Sequence, residues 1–179
     1  MRLFVAINFP NEIKTTMVSI RNTLQEAAIC GTFSFDDNLH LTLVFLGECS
    51  DFQLQAGLSV MKDTLFGAFR LTSDKVGCFK RDGGDTWWIG IKEHPSLIDL
   101  QADLSQRFQQ KGFILERRKY VPHVTIGRQV KLRSGFIRPQ IGPVDFAVTS
   151  IELMKSERLH GKLVYSPLCS IDAKNNFLY

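Results

Sequence analysis

The stretches "HLTLVFLG" (40–47) and "HVTIGR" (123–128) each open with His, an apolar residue, Thr and another apolar residue. Two of the four histidines in the chain stand in this pattern. In an extended strand, residues i and i+2 point to the same face. His40 and Thr42 therefore share a face, as do His123 and Thr125, while Leu41, Leu43, Val124 and Ile126 point into a core. Each strand thus offers one imidazole and one hydroxyl on a rigid support. Imidazole, with an unperturbed pKa of about 6.5, gives or takes a proton near neutral pH. Hydroxyls donate to anionic oxygens without adding charge. Two proton-transfer groups with two oxyanion donors suit a phosphodiester. One His activates the attacking hydroxyl or water, the other protonates the departing oxygen, and the threonines hold the non-bridging oxygens. A general acid at the leaving group does the work a metal would do, so this reading needs neither metal nor cofactor. Two other readings compete with it. Both histidines are structural, or they bind a metal that would take its third ligand from Asp36, Asp37 or Glu48.

The flanking pattern says what positions these pairs. "RLFVAIN" (2–8) is β-branched and apolar and ends at Pro10, a buried strand. Ile13, Met17, Ile20 and Leu24 fall at helical spacing, which predicts a helix over 11–29 ending near Gly31. Residues 39–47 form the first His-x-Thr strand, and Leu54, Leu58, Met61 and Leu65 predict a helix over 51–66. "FRLTSDKVGCF" (69–79) is a strand and "RDGGD" (81–85) a turn. The order then recurs. "TWWIGIK" (86–92) is a strand, Pro95 opens a helix that closes at Gly112, and 121–128 is the second His-x-Thr strand. Two strands, around 143–155 and 163–173, finish the chain about the turn "RLHG". Ile7 to His40 spans 33 residues and Ile91 to His123 spans 32. This matched spacing reads as a weak internal duplication. It predicts an α+β fold, bilobal, with two antiparallel sheets and outer helices about a pseudo-two-fold axis and a central groove. Residues 1–179 are taken as a single bilobal domain.

Composition fits that picture. At 44% hydrophobic and 22% charged, the chain resembles ordinary soluble proteins. No segment is long enough for a membrane span, and the N-terminal apolar run is too short for a secretory leader. Cys30, Cys49, Cys78 and Cys169 are scattered, which suits free thiols in a reducing, cytoplasmic compartment rather than a zinc site. Residues 1–110 hold 10 Lys/Arg against 13 Asp/Glu, whereas 111–179 hold 12 against 5. The basic excess of the C-terminal part favours an anionic partner such as RNA or a nucleotide. His94 reads as a helix cap and His160 as a hairpin tip. Trp87 and Trp88 alternate, so only one can face the groove.

The two His-x-Thr segments resemble the paired motifs of the two-histidine phosphoesterases, in particular the RNA 2′,3′-cyclic phosphodiesterase group, also called LigT-like or 2′-5′ RNA ligase. "MRLFVAI", "NLHLTLVFLG", "ERRKYVPHVTIGR" and "IELMKSERLHGKLVYSPL" follow the family's order along nearly the whole chain. The resemblance implies metal-independent hydrolysis of a terminal 2′,3′-cyclic phosphate to a 2′-phosphomonoester. It implies His40 as proton donor to the leaving oxygen, His123 as the base, and Thr42 and Thr125 as phosphate binders. It also suggests Arg128 as a phosphate contact, to which strand parity objects. Arg128 is five residues from His123, so a regular strand turns it away from the groove unless Gly127 permits a bulge. Phe4 and Tyr120 are candidates to flank the groove.

The expected partners are RNA ends bearing a 2′,3′-cyclic phosphate, or small cyclic-phosphate nucleotides. The protein is expected to be a monomer with no membrane partner. Two alternatives stay open: a 2′-5′ RNA ligase or 2′-5′ phosphodiesterase, and a non-catalytic module that binds a nucleotide or RNA end.

Overall fold

A computed structural model describes residues 1–174. The strands are β1 (Arg2–Asn8), β2 (Ala28–Phe33), β3 (His40–Glu48), β4 (Phe69–Phe79), β5 (Asp85–Ile91), β6 (His123–Leu132), β7 (Asp145–Val148), β8 (Ser150–Leu159) and β9 (Lys162–Asp172). The helices are α1 (Asn11–Glu26), α2 (Asp51–Asp63) and α3 (Pro95–Gln110). Two antiparallel sheets result, one of four strands ordered β3-β1-β8-β9 and one of five ordered β2-β6-β5-β4-β7. This is the expected α+β architecture of two sheets with three helices. The lobes are not the two sequence halves, however. The first sheet joins β1 and β3 to the two C-terminal strands, and the second takes in β2 and β4 from the first half.

Each sheet turns one face to helices. Leu3, Val5 and Ile7 of β1, Leu41, Leu43 and Val44 of β3, and Val124 and Ile126 of β6 are buried together with Met17 and Leu24 of α1, Val60 and Met61 of α2, and Leu97, Leu104 and Phe108 of α3. Removing each such side chain from water contributes about 1.5–3 kcal/mol. That burial fixes which face of β3 and β6 is left for the groove.

The helix ends follow local chemistry. α2 starts in a capping box: the Ser50 hydroxyl accepts from the Gln53 amide at 3.3 Å, and the Gln53 side chain accepts from the Ser50 amide at 3.0 Å. His94 caps α3, its Nδ1 accepting from the Ser96 amide at 3.2 Å, with Pro95 at the first helical position. Gly112 just beyond α3 has φ 84°, the left-handed turn that glycine adopts without strain.

α1 stops at Glu26, five residues before Gly31, because Ala28–Phe33 is not helix but edge strand β2. The last predicted pair of strands is three: the first breaks at Thr149 into β7 and β8. The hairpin tip carries His160, exposed at φ 49° and away from any sheet face, as a plain turn residue.

Candidate active site

His40 and Thr42 open β3, and His123 and Thr125 open β6. Both strands carry the same local pattern. Asn8 stands opposite His40 and Ala6 opposite Thr42, while Gly90 stands opposite His123 and Trp88 opposite Thr125. The register then slips in each, between Val5 and Ala6 of β1 and between Trp87 and Trp88 of β5. Each slip is a bulge one residue past the threonine, at Leu43–Val44 and at Ile126–Gly127. Burial follows it, since 43 and 44 are both buried, as are 126 and 127.

The bulge resolves the parity objection to Arg128. An extra residue flips the alternation, so Arg128 returns to the face of His123 and Thr125 and is exposed there. Its charge acts on both His40 and His123. Gly127 fits a tight spot, because a Cβ there would meet Val130 Cγ2 at 2.9 Å and the Phe33 ring at 3.2 Å.

The imidazoles are held alike. His40 Nδ1 lies 2.7 Å from the Asn38 carbonyl, and His123 Nδ1 lies 2.6 Å from the Val121 carbonyl. A carbonyl only accepts, so each Nδ1 carries the proton and each neutral ring keeps a bare Nε2. His40 Nε2 accepts from the Thr42 hydroxyl at 3.0 Å. Aromatic rings flank both: Phe4 at 4.8 Å and Tyr165 at 5.1 Å from His40, Phe79 at 5.1 Å and Trp88 at 6.1 Å from His123. Trp87, on the opposite face, is buried.

β3 and β6 run within 8 Å of each other at Cα. Two hydroxyls tie them to neighbouring segments. Tyr120, just ahead of β6, donates to the Thr42 carbonyl at 3.0 Å, and Ser34, just after β2, donates to the Thr125 carbonyl at 2.8 Å. Burial raises the Tyr120 pKa, so this hydroxyl keeps its proton.

Electrostatics sets the resting state. Burial pushes His40 down to about 4, and Arg128, Lys14 and His123 add to that against the Asn38 carbonyl. Burial also lowers His123, helped by Arg128 and Arg118 against the Val121 carbonyl. Both rings are therefore neutral at pH 7, in a positive field that attracts an anion. The bound anion in turn favours protonated imidazole.

The carboxylates weighed as metal ligands do not join the pair. Asp36 binds Arg21 at 2.5 Å, and Glu48 lies at the far end of β3 beside the chain's amino group at 3.6 Å. Among the described residues no three His, Cys, Asp or Glu side chains converge as a metal site. None of the four cysteines is in a disulfide, and no described helix is long and apolar enough to cross a membrane.

A model of the 2′-5′ RNA ligase superfamily matches residues 9–159. The chain belongs to that superfamily. It is 33% identical over 131 residues to a Thermotoga maritima protein named RNA 2′,3′-cyclic phosphodiesterase, covering 72% of this chain and 70% of that one. An Escherichia coli protein of the same name is 32% identical over 169 residues, 93% of each chain. The solved structure of Escherichia coli LigT complexed with 3′-AMP matches with TM-score 0.84 at 32% identity, over 97% of this chain and 98% of that one.

Several residues beside the histidines, Phe79 among them, were not singled out by the sequence pattern. Phe45 reaches the groove face only through the Leu43–Val44 bulge. Tyr165 comes from β9, which local pattern does not join to β1. Lys14 is a helix residue whose side chain reaches toward the Asp37 carbonyl at 3.4 Å. Arg118 stands in an irregular segment.

Proposed function

We propose that this chain hydrolyses the 2′,3′-cyclic phosphate at an RNA end, or on a short nucleotide bearing the same group, to a 2′-phosphomonoester. One observation carries the reading. His40 and His123 each commit Nδ1–H to the backbone carbonyl two residues earlier, which leaves Nε2 of both unprotonated in the neutral ring, that of His40 accepting from the Thr42 hydroxyl. The names of the superfamily relatives point to the same group of substrates.

In this mechanism the charge of the bound anion raises the pKa of one imidazole, which takes a proton from solvent. The other, still neutral, takes a proton from water as the water oxygen bonds to phosphorus. The protonated ring gives its proton to O3′ as the P–O3′ bond breaks. The two rings end with their proton states exchanged, and solvent restores them. The resemblance assigns donation to His40 and acceptance to His123. Thr42 changes role with its neighbour. While His40 is neutral, the Thr42 hydroxyl donates to Nε2. Once Nε2 is protonated it no longer accepts, so its N–H points to O3′ and the Thr42 hydroxyl hydrogen turns to a phosphate oxygen. Thr125 and the Arg128 guanidinium supply the remaining donors to the non-bridging oxygens, where charge redistributes.

The test is an RNA ending in 2′,3′-cyclic phosphate, incubated in EDTA, with the product followed by phosphorus NMR. A 2′-phosphate formed at undiminished rate in chelator is expected. A 3′-phosphate, a need for added metal, or wild-type turnover by His40→Ala would each overturn the proposal.

A further inference from the structure

The site's near symmetry breaks one residue past each bulge. On β6 that position holds Arg128, on β3 it holds Phe45, and the β3 side has its own guanidinium on the neighbouring strand. Phe45 stands opposite Phe4, and Arg2, Phe4, Ala6 and Asn8 share one face of β1, the face beside Thr42 and His40. The Arg2 guanidinium lies over the Phe45 ring, 4.9 Å from its centroid. Phe45 is 46% exposed although it is a large aromatic. Glu48, opposite Arg2 in the register, pairs with the chain's amino group, and Arg2 has no carboxylate partner among the described residues. The fields of Arg2 and Arg128 both reach the Tyr165 phenol. The two cations therefore flank one aromatic wall of the groove, whose rings Phe4 and Tyr165 also touch His40.

From this arrangement we infer that Arg2, held flat on Phe45, binds a second phosphate of the substrate, the one on the 5′ side of the terminal nucleoside. The inference rests on the proposed function and narrows its substrate class from any cyclic-phosphate nucleotide to an RNA end. Spacing and chemistry carry it. Arg2 is four residues from Ala6, which faces Thr42, about 13 Å along the strand at Cα. A long arginine reaching back along the groove shortens that gap to nucleotide dimensions, with Phe4 and Tyr165 between the two positions as an apolar wall for the sugar and base. A guanidinium held against a ring has its N–H edge pre-set for bidentate phosphate binding and loses less side-chain freedom on binding. An unpartnered cation beside a reacting anion helps only if it has another anion to hold.

Three substrates separate the possibilities: adenosine 2′,3′-cyclic phosphate, the same nucleotide with a 5′-phosphate, and the dinucleotide ApA ending in 2′,3′-cyclic phosphate. The intact protein should show kcat/KM about tenfold higher for the second and third than for the first, as one charge-assisted contact provides. Arg2→Ala should erase that gain, mainly through KM, and leave the first substrate unchanged. Arg2→Lys should restore part of it. Equal kcat/KM for all three substrates overturns the inference while the proposed activity stands, and so does a gain that survives Arg2→Ala or appears only with the dinucleotide. No turnover of any of the three overturns both.

Discussion

The Tyr120 hydroxyl donates a 3.0 Å hydrogen bond to the Thr42 carbonyl, so the segment leading into one His-x-Thr strand is tied to the body of the other. Ser34 makes the matching tie to Thr125 at 2.8 Å. Tyr120→Phe deletes the donor and keeps the ring, leaving a partly buried carbonyl without this partner. About 1 kcal/mol of stability should be lost in urea unfolding. Because the same carbonyl belongs to Thr42, kcat should fall several-fold as well. Unchanged stability together with unchanged kcat would show that the tie positions nothing.

Removing either imidazole should be far more damaging to rate than to fold. Both rings are half-buried at the groove rather than in the core, so His40→Ala and His123→Ala should stay folded by circular dichroism. Their kcat should drop on the order of a thousandfold, the scale of general acid–base catalysis, with a much smaller change in KM. The double variant should be little worse than either single one, because the acid and base act as a unit. Additive losses would contradict concerted transfer.

The pH dependence follows from burial. The proposed mechanism needs one ring protonated and the other neutral, and burial holds both below 6.5, with His40 at about 4. The kcat/KM profile should therefore peak below pH 6.5. The kcat profile should sit at higher pH, because a bound phosphate stabilises the protonated rings. Stability carries the corresponding sign. A histidine with a depressed folded-state pKa binds its proton more readily when unfolded. Its contribution is complete above 6.5 and is lost as pH falls from 6.5 toward about 4. Urea midpoints measured across that window should drop less in His40→Gln than in the parent chain, and carbon-bound ring protons in NMR should report the two titrations separately.

The two antiparallel sheets and three helices follow from the sequence pattern, and the sharing of strands between the lobes does not. His40, Thr42, His123 and Thr125 were legible because period-two alternation over a few residues is local information. Strand β2 was not legible. It lies at a sheet edge with residues 29–32 exposed, so it has no buried face to impose alternation, and it follows α1 after a single residue. The exchange of strands between lobes was equally hidden, since the pairing of β1 with β8 spans about 150 residues and has no short-range signature. Arg128 shows the limit most clearly. Parity turned it away from the groove, and one bulged residue, which depends on how Gly127 packs against Val130 and Phe33, turned it back.

That bulge can be tested directly. Gly127→Ala introduces a Cβ 2.9 Å from Val130 Cγ2, so the strand must shift or the valine must move. A cost of about 1–3 kcal/mol is expected. If the bulge is what aims Arg128, the variant should also lose substrate affinity, and Arg128→Ala should lose it without the stability cost. Arg128→Ala should in addition raise the pKa of both histidines, since its charge holds both down. Histidine pKa values that stay put on removal of the guanidinium would mean Arg128 does not face the site.

On the neighbouring strand β5, Trp88 is wedged over two glycines. A Cβ on Gly77 would lie 2.2 Å from Trp88 Cη2, and one on Gly90 would lie 3.1 Å from Cζ3. The half-buried indole lies beside Phe79 at 5.3 Å and His123 at 6.1 Å, so moving it disturbs both. Gly77→Ala therefore acts on the site without touching it. Overpacking should cost about 1–3 kcal/mol, and the displaced indole should change the surroundings of His123 but not those of His40. The readout is the pair of histidine titrations in Gly77→Ala. The His123 value should move while the His40 value holds, and kcat should fall with it. Equal movement of both would mean the two lobes relax as one body and that Trp88 does not specifically support His123.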